Sequence, residues 1–529
     1  MPREYYLRSN VLIEPLVDRW YAWPHLISPA TAARNISERH LRIMDSYVNA
    51  PDSHAAAVKN RKMLGGPFME FGRTRVEEVT ALRDRAKRER VHLLDFSKAI
   101  ADLDAILRTE AAGHSLEPLY PRIPEPLQGY VELVYDLNNH ASFRFIEALL
   151  YRSPYYDRSM QSLRLSTISQ DNRAFVLSTP RLENERCLDW PRAFDSDDLD
   201  RLFALKSQPA PFSRVKELLE TQGEQDEILQ EFLTEEPPPP YPRYEGEGTR
   251  WRYFGHACIL LETKNVSILL DPVVSYDYPA DIPRYTYGDL PPEIDFVLIT
   301  HNHQDHILLE TLLQLRRAIG AIIVPRNSGG SLQDPSLKLM LNACGFKNVI
   351  DLSEMETLDF ANGSITAIPF LGEHADLNIA SKAAYLVKVN GHSLLFAADS
   401  CNIAPKVYEH VHRATGDVDV LFLGMECDGA PLTWIYGPLL TQKLERAKDQ
   451  SRRLAGSNFE RGIEMVDQFH CKEVFVYAMG QEPWLNHVMR VKYTEESNPI
   501  IQSNRLIEVC RNRGIIAERL FGEKELFLP

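Results

Sequence analysis

Four successive prolines, Pro237–Pro240, stand inside TEEPPPPYPRYEGEG (Thr234–Gly248) and constrain every reading of the chain around them. Proline fixes its own φ and lacks an amide proton, so neither a helix nor a central strand can pass through such a run. It favours an extended polyproline spacer instead. At 529 residues the chain is also too long for one hydrophobic core. The expected division is a first unit over residues 1–235, a Pro-rich linker over 236–248 and a second unit over 249–529.

The two units differ in texture. Upstream, TRVEEVTALRDRAKRERVHLLDFSKAIADLDAIL repeats apolar residues at three and four with dense charge between them, the mark of amphipathic helix. RFIEALLYRS and SRVKELLETQ are of the same kind, whereas GYVELVYDLNNHASF fits a strand and turn. The first unit is therefore expected to be mainly helical, α+β. Downstream, short apolar runs such as ACILLET, VSILLDP, IDFVLIT, GAIIVP, AAYLVKV and EVFVYAMG are bounded by turn residues. Asn-Gly pairs in ANGS (361–364) and VNGH (389–392) mark hairpins. Helical segments between several strands complete the pattern of an α/β layered unit.

Composition excludes several functions. A net charge of -15 disfavours nucleic acid as a partner, which needs a basic face. The N-terminal MPREYYLRSNVLIEPL has no apolar signal core, and no stretch is long and apolar enough to span a membrane. The seven cysteines are scattered, odd in number and never spaced C-x-x-C, which suits a reducing cytoplasm and neither a disulfide framework nor a thiolate zinc site.

The chemistry is concentrated in ITHNHQDHILLETL, Ile299–Leu312, which follows an apolar strand. In extended chain, residues two apart face the same way, so His301 and His303 can grip one cation while Asp305 and His306 face a second position. Imidazole and carboxylate without thiolate suit zinc, iron or manganese.

H-x-H-x-D-H after a strand resembles the metallo-β-lactamase fold superfamily, an αββα sandwich holding two metals, over residues 249–529. That resemblance implies a bridging aspartate, matched by Asp399 in SLLFAADS, and a third ligand in the loop LGEHADLN, where Glu373 and His374 compete. It also implies a last histidine beyond the final core strand, for which His487 in QEPWLNHVM is the available residue. His256 reads as a packed core histidine or a site residue, and Asp271 as a turn cap or a partner for a ligand histidine. His410 and His412 fall in a helical stretch and are expected to face solvent.

GEHADL, the length, the large N-terminal unit and the run GPLLTQKLERAKDQSRRLAGSN are similar to the diiron β-hydroxylases of chloramphenicol biosynthesis. In those a glutamate replaces the usual histidine, which selects Glu373 and leaves His374 beside it. The implied ligands are His301, His303, Glu373 and Asp399 on one metal, and Asp305, His306, His487 and Asp399 on the other. The reaction would depend on the carboxylates Glu373 and Asp399. The implied activity is O2-dependent β-hydroxylation of an aromatic aminoacyl group, L-p-aminophenylalanine above all, tethered to a nonribosomal peptide synthetase carrier domain. It would use two Fe ions and an external reductase, because no flavin or iron–sulfur motif is present. A homodimer is expected, with the first unit serving dimerisation or carrier docking. The rival is a zinc hydrolase of the same fold, cleaving a thioester, lactone or phosphodiester, which His374 as ligand would favour.

Overall fold

The protein is described by a computed structural model covering residues 3–529. The apolar runs of the second unit pair into two seven-stranded sheets. The first has the order Val349–Leu352, Ile319–Pro325, Ile294–Leu298, Ser267–Leu270, Cys258–Glu262, Thr249–Gly255, Lys524–Leu528. The second runs Thr357–Phe360, Gly363–Ile368, Ala384–Val389, His392–Phe396, Val420–Gly424, Glu473–Tyr477, Ile516–Arg519. Each sheet is antiparallel on one side and parallel on the other, so the two halves share one plan.

Their facing sides enclose a core of Trp251, Tyr253, Ile259, Tyr385, Phe396, Phe422 and Phe475. The helices Pro405–Thr415, Phe459–Phe469 and Asn498–Asn512 cover the outer face of the second sheet. The result is the expected αββα sandwich. Both Asn-Gly signals are tight hairpins, with Asn362 and Asn390 left-handed at φ 66° and 50°.

The first unit contains the helices Val76–Glu89 and Val91–Glu110, broken at Arg90, and Phe212–Leu219. GYVELVYDLNNHASF forms the hairpin of Val131–Tyr135 and Ala141–Phe145. Only Arg144 and Phe145 of RFIEALLYRS are strand; a single helical turn, Glu147–Leu150, and a turn follow. A four-stranded antiparallel sheet (Trp20–Tyr21, Val11–Val17, Gln161–Thr167, Leu188–Pro191) was not legible, because these short strands lack clean alternation. Residues 237–246 are neither helix nor strand, and the Tyr241 ring lies under the Arg252 guanidinium.

The two units do not have separate cores. One apolar cluster runs from Leu7, Trp20 and Phe96 through Ile299, Leu312 and Met340 to Trp484. Ion pairs reinforce this contact. Arg173 donates to Glu14 at 2.8 Å and to Glu310 at 3.2 Å, and the Tyr21 hydroxyl donates to Glu310 at 2.8 Å. Glu310 lies on the helix Leu309–Leu315 that follows the histidine loop. Against burial, Arg181 and Arg173 hold the Glu14 carboxyl far below its ordinary value of 4.5.

Removing one member of a buried ion group leaves an uncompensated charge, so Arg173→Met should cost about 3–5 kcal/mol in a denaturant melt. Because the folded-state pKa of Glu14 is depressed, its contribution to stability is fully present above pH 4.5 and is lost as the pH falls below it. Glu14→Gln should flatten that acid limb while lowering stability at neutral pH.

Candidate metal centre

Strand ends deliver the site. The strand Ile294–Leu298 of the first sheet feeds His301–His306, while Gly363–Ile368 and His392–Phe396 of the second feed Glu373 and Asp399. The loop is pinned across the sandwich by Ala383 N donating to Thr300 O at 2.7 Å. One ligand atom from each of His301, His303 and Glu373 falls within 4.8 Å of the others; the same holds for His301, His306 and Asp399, and for His256, Asp305 and His306. His301 and His306 each belong to two groups, so the arrangement describes two adjoining cation positions with Asp399 between them. Asp399 Oδ2 is 3.9 Å from His301 Nε2 and 3.1 Å from His306 Nε2.

The buried donors fit a cation. His301 Nε2 and Asp399 Oδ1 are buried with no hydrogen-bond partner. Burial and the neighbouring His306 and His303 hold His301 well below the usual histidine range. Burial pushes the Glu373 carboxyl up to about 6, against the pull of His303. His306 shows the opposite balance: burial works to lower it, yet Asp399, Asp305 and Asp271 raise it well above the usual range. Carboxylates that draw a proton onto a buried imidazole would equally draw a metal cation.

Neighbours set the tautomers. Asp271 accepts from His306 Nδ1 at 2.8 Å and from Thr300 N at 2.7 Å, leaving His306 Nε2 toward the site. Asp271 thus fixes the orientation of His306, as the partner of a ligand histidine would. On the far side of His303, Nε2 lies 3.0 Å from the Tyr436 hydroxyl, which lies 2.9 Å from His374 Nδ1. A consistent chain runs from His303 Nε2–H to Tyr436 and from Tyr436 to His374, which leaves His303 Nδ1 facing Glu373 Oε2 at 3.0 Å. Nothing in TWIYGPLL signalled Tyr436, because it reaches the site only through the fold.

Glu373 and His374 separate for a different reason from the expected one. The backbone is not extended here: Gly372, Glu373, Ala375 and Asp376 all have positive φ, from 52° to 75°. In this turn Glu373 takes the Nδ1 side of His303 and His374 the Nε2 side. Lys382 donates to Gly372 O at 3.2 Å and steadies the turn.

His487 does not join the cluster, which corrects the expectation that it closes the second position. Its segment packs on the first unit: Val176 N donates to His487 O at 2.9 Å, and the ring meets Tyr21 edge-on at 5.9 Å. His256 comes to the second position instead, from the turn between Thr249–Gly255 and Cys258–Glu262. Its Nδ1 accepts from Gly480 N at 3.1 Å, so the neutral ring carries its proton on Nε2, 3.1 Å from Asp305 Oδ2. That geometry makes His256 a hydrogen-bond donor that holds Asp305. The donor set that converges is three imidazoles (His301, His303, His306) and three carboxylates (Asp305, Glu373, Asp399). His410 is exposed, as expected, while His412 is only half-buried and shares Asp417 with His470 at the surface.

Gly424, at the end of Val420–Gly424, makes room for the Asp399 carboxylate: a Cβ there would lie 2.5 Å from Asp399 Oδ1. A cavity of about 960 Å³ opens onto His303, Asp305, Glu373 and Asp399. Its walls come from both units, with Phe68 and Phe175 from the first and Trp434 and Met489 from the second. Around Ile36–His40 the helix widens to a π turn. Arg39 there donates to Trp434 O and Ile435 O, and Arg34 donates to Pro438 O and Leu440 O. The first unit thus clamps the segment that carries Tyr436.

Known proteins share this architecture. Residues 6–237 match the diiron non-heme β-hydroxylase N-terminal domain family, and residues 267–430 match the β-lactamase superfamily domain. The chain is 40% identical over 535 residues to the 4-amino-L-phenylalanyl-[CmlP-peptidyl-carrier-protein] 3-hydroxylase of Streptomyces venezuelae, covering 99% of this chain and 100% of that one. It is also similar to the crystal structure of CmlA, a diiron β-hydroxylase from Streptomyces venezuelae, with a TM-score of 0.93 and 39% identity over 100% of both chains.

The geometry makes the ligand positions testable by metal analysis. His487→Ala should retain the metal content of the parent, whereas Glu373→Ala and Gly424→Ala should lower it. Loss of metal in His487→Ala with retention in Glu373→Ala would reverse these assignments.

Proposed function

The chain belongs to the diiron non-haem β-hydroxylase family, and from that premise we propose that it hydroxylates the β-carbon of an aromatic aminoacyl group, 4-aminophenylalanyl above all, carried as a thioester on a nonribosomal peptide synthetase carrier domain. The proposed ligands are His301, His303 and Glu373 at one iron, Asp305 and His306 at the other, and Asp399 between them. The observation that carries this reading is that the carboxylate Glu373, and not His374, groups with His301 and His303 within ligand distance of one point, while His374 meets His303 only at its far nitrogen. Carboxylate in place of imidazole makes the set harder and favours iron chemistry over the zinc chemistry of the hydrolases.

When bound, the two irons supply the O2-dependent oxidation of a C–H bond. The chain's own residues do the rest. Asp271 keeps His306 Nε2 toward the site, and the Tyr436–His374 pair keeps His303 Nδ1 toward it. His256 holds Asp305 in place through Nε2. Phe68, Phe175 and Trp434 in the cavity wall offer apolar surfaces to an aryl ring. Electrons come from an external donor. Tethering suits this site, because the binding energy of carrier and arm can be used to order the reacting carbon.

All seven cysteines are unpaired, which supports a reducing, cytoplasmic setting. No helix among the described residues is long and apolar enough to cross a membrane.

Protein purified in air should contain close to two irons per chain. With a reductant and O2, the loaded carrier should gain one oxygen atom at the β-carbon, read by mass spectrometry with labelled O2, while the free amino acid should not. Stoichiometric zinc with thioester cleavage and no oxygen incorporation would replace this reading by that of the hydrolase.

A further inference from the structure

The cavity above the centre contains a carboxylate that the metal set does not use. Glu426 lines it together with Asp305, Glu373 and Asp399, two residues beyond the end of the strand Val420–Gly424. Its carboxylate is fixed by neutral donors: the Tyr493 hydroxyl donates to Oε1 at 2.6 Å, and Gly429 N donates to Oε2. Its backbone carbonyl accepts from Gly456 N at 2.8 Å. The other cavity carboxylate outside the metal set, Glu38, is paired with Arg42 and Arg34. Glu426 has no Lys, Arg or His within ion-pair distance among the described residues, whose pairs are otherwise numerous around the cavity. An anion held in position by uncharged groups, in a cavity built for a ligand, lacks a counter-charge of its own.

The substrate class supplies one. In an aminoacyl thioester the carboxyl group is consumed by the linkage, so the α-amine is the cationic group nearest the β-carbon. That nitrogen is bonded to the carbon adjacent to the one that reacts. When the β-carbon faces Asp399 and Glu373, the ammonium must lie beside whatever anion borders the same space. Glu426 borders it, lining the same cavity as Asp399 and Glu373, and an ammonium beside it would favour the ionised carboxylate. The aryl ring then extends toward Phe175 and Trp434, whose rings stack at 6.2 Å and 19°.

Resting on the reading above, we propose that Glu426 binds the α-ammonium of the tethered aminoacyl group and thereby positions the β-carbon and selects amino acids over desamino acids.

The test compares two loaded carriers on the iron-containing enzyme without reductant, so that binding is measured without turnover. One bears 4-aminophenylalanyl and the other 3-(4-aminophenyl)propanoyl, which lacks only the α-amine. The parent should prefer the aminoacyl carrier. Glu426→Gln should weaken that carrier about tenfold or more, the scale of a hydrogen bond to a charged group, and leave the desamino carrier within about twofold. Iron content and ferric absorption should be unchanged. Tyr493→Phe, which removes one donor to the carboxylate, should shift the same preference in the same direction by less, and it serves if Glu426→Gln misfolds. Equal weakening of both carriers, no preference in the parent, or loss of iron in Glu426→Gln would overturn the proposal. Failure of the parent to hydroxylate the aminoacyl carrier would instead overturn the functional reading, and the binding preference would remain readable.

Discussion

Asp271, Asp305, Glu373 and Asp399 are buried together at the mouth of the sandwich, and that concentration of negative charge is the constraint on which the rest of the structure depends. Buried carboxylates at this spacing repel unless positive charge lies among them. The carboxylates raise the proton affinity of His306; the same oxygens would serve as ligands to bound cations. Each surrounding hydrogen bond then serves to present a lone pair inward. Asp271 does this for His306, Tyr436 for His303, and His256 for Asp305.

The first unit belongs to the same argument. It contains none of the proposed ligands, yet its core is continuous with the outer face of the first sheet. Arg173 and Tyr21 hold Glu310 one turn beyond the histidine loop, and Asn302 within that loop lies 3.3 Å from His25. Arg34 and Arg39 fix the backbone of the Tyr436 segment. The unit therefore acts as a wall and a clamp, and its Phe68 and Phe175 line the cavity above the candidate metal centre. A hydrolase open to small, free substrates would gain little from such a wall, whereas a substrate delivered on an arm needs a confined path.

Local chemistry explains what could be read without coordinates. Four prolines exclude regular structure, Asn-Gly forces a hairpin, and three histidines and one carboxylate within six residues must ligate or be hydrogen-bonded wherever the chain takes them. These are properties of a few neighbouring residues, so His301, His303, Asp305 and His306 were legible, as were the strands that precede them. Asp399 and Glu373 were reached through resemblance to a family, since each is a single acid at the end of an apolar run. His487 failed for the corresponding reason. Position after the final strand says nothing about direction, and here the segment turns toward Tyr21 and Val176 of the first unit.

The amino-acid sequence by itself determined the α/β layering of the second unit, the histidine-rich loop and the choice of oxygen and nitrogen donors, because periodicity, turn chemistry and ligand type act over short distances; the two-sheet sandwich came through resemblance. Tertiary structure decided the rest. It turned the Gly372–Asp376 backbone left-handed, so that Glu373 and His374 flank His303 from opposite nitrogens. It gave Asp305 to His256, brought Tyr436 beneath the site, and left Glu426 facing the cavity without a counter-ion. Each of these depends on residues far apart in the chain meeting at one buried point, and no local pattern records that meeting.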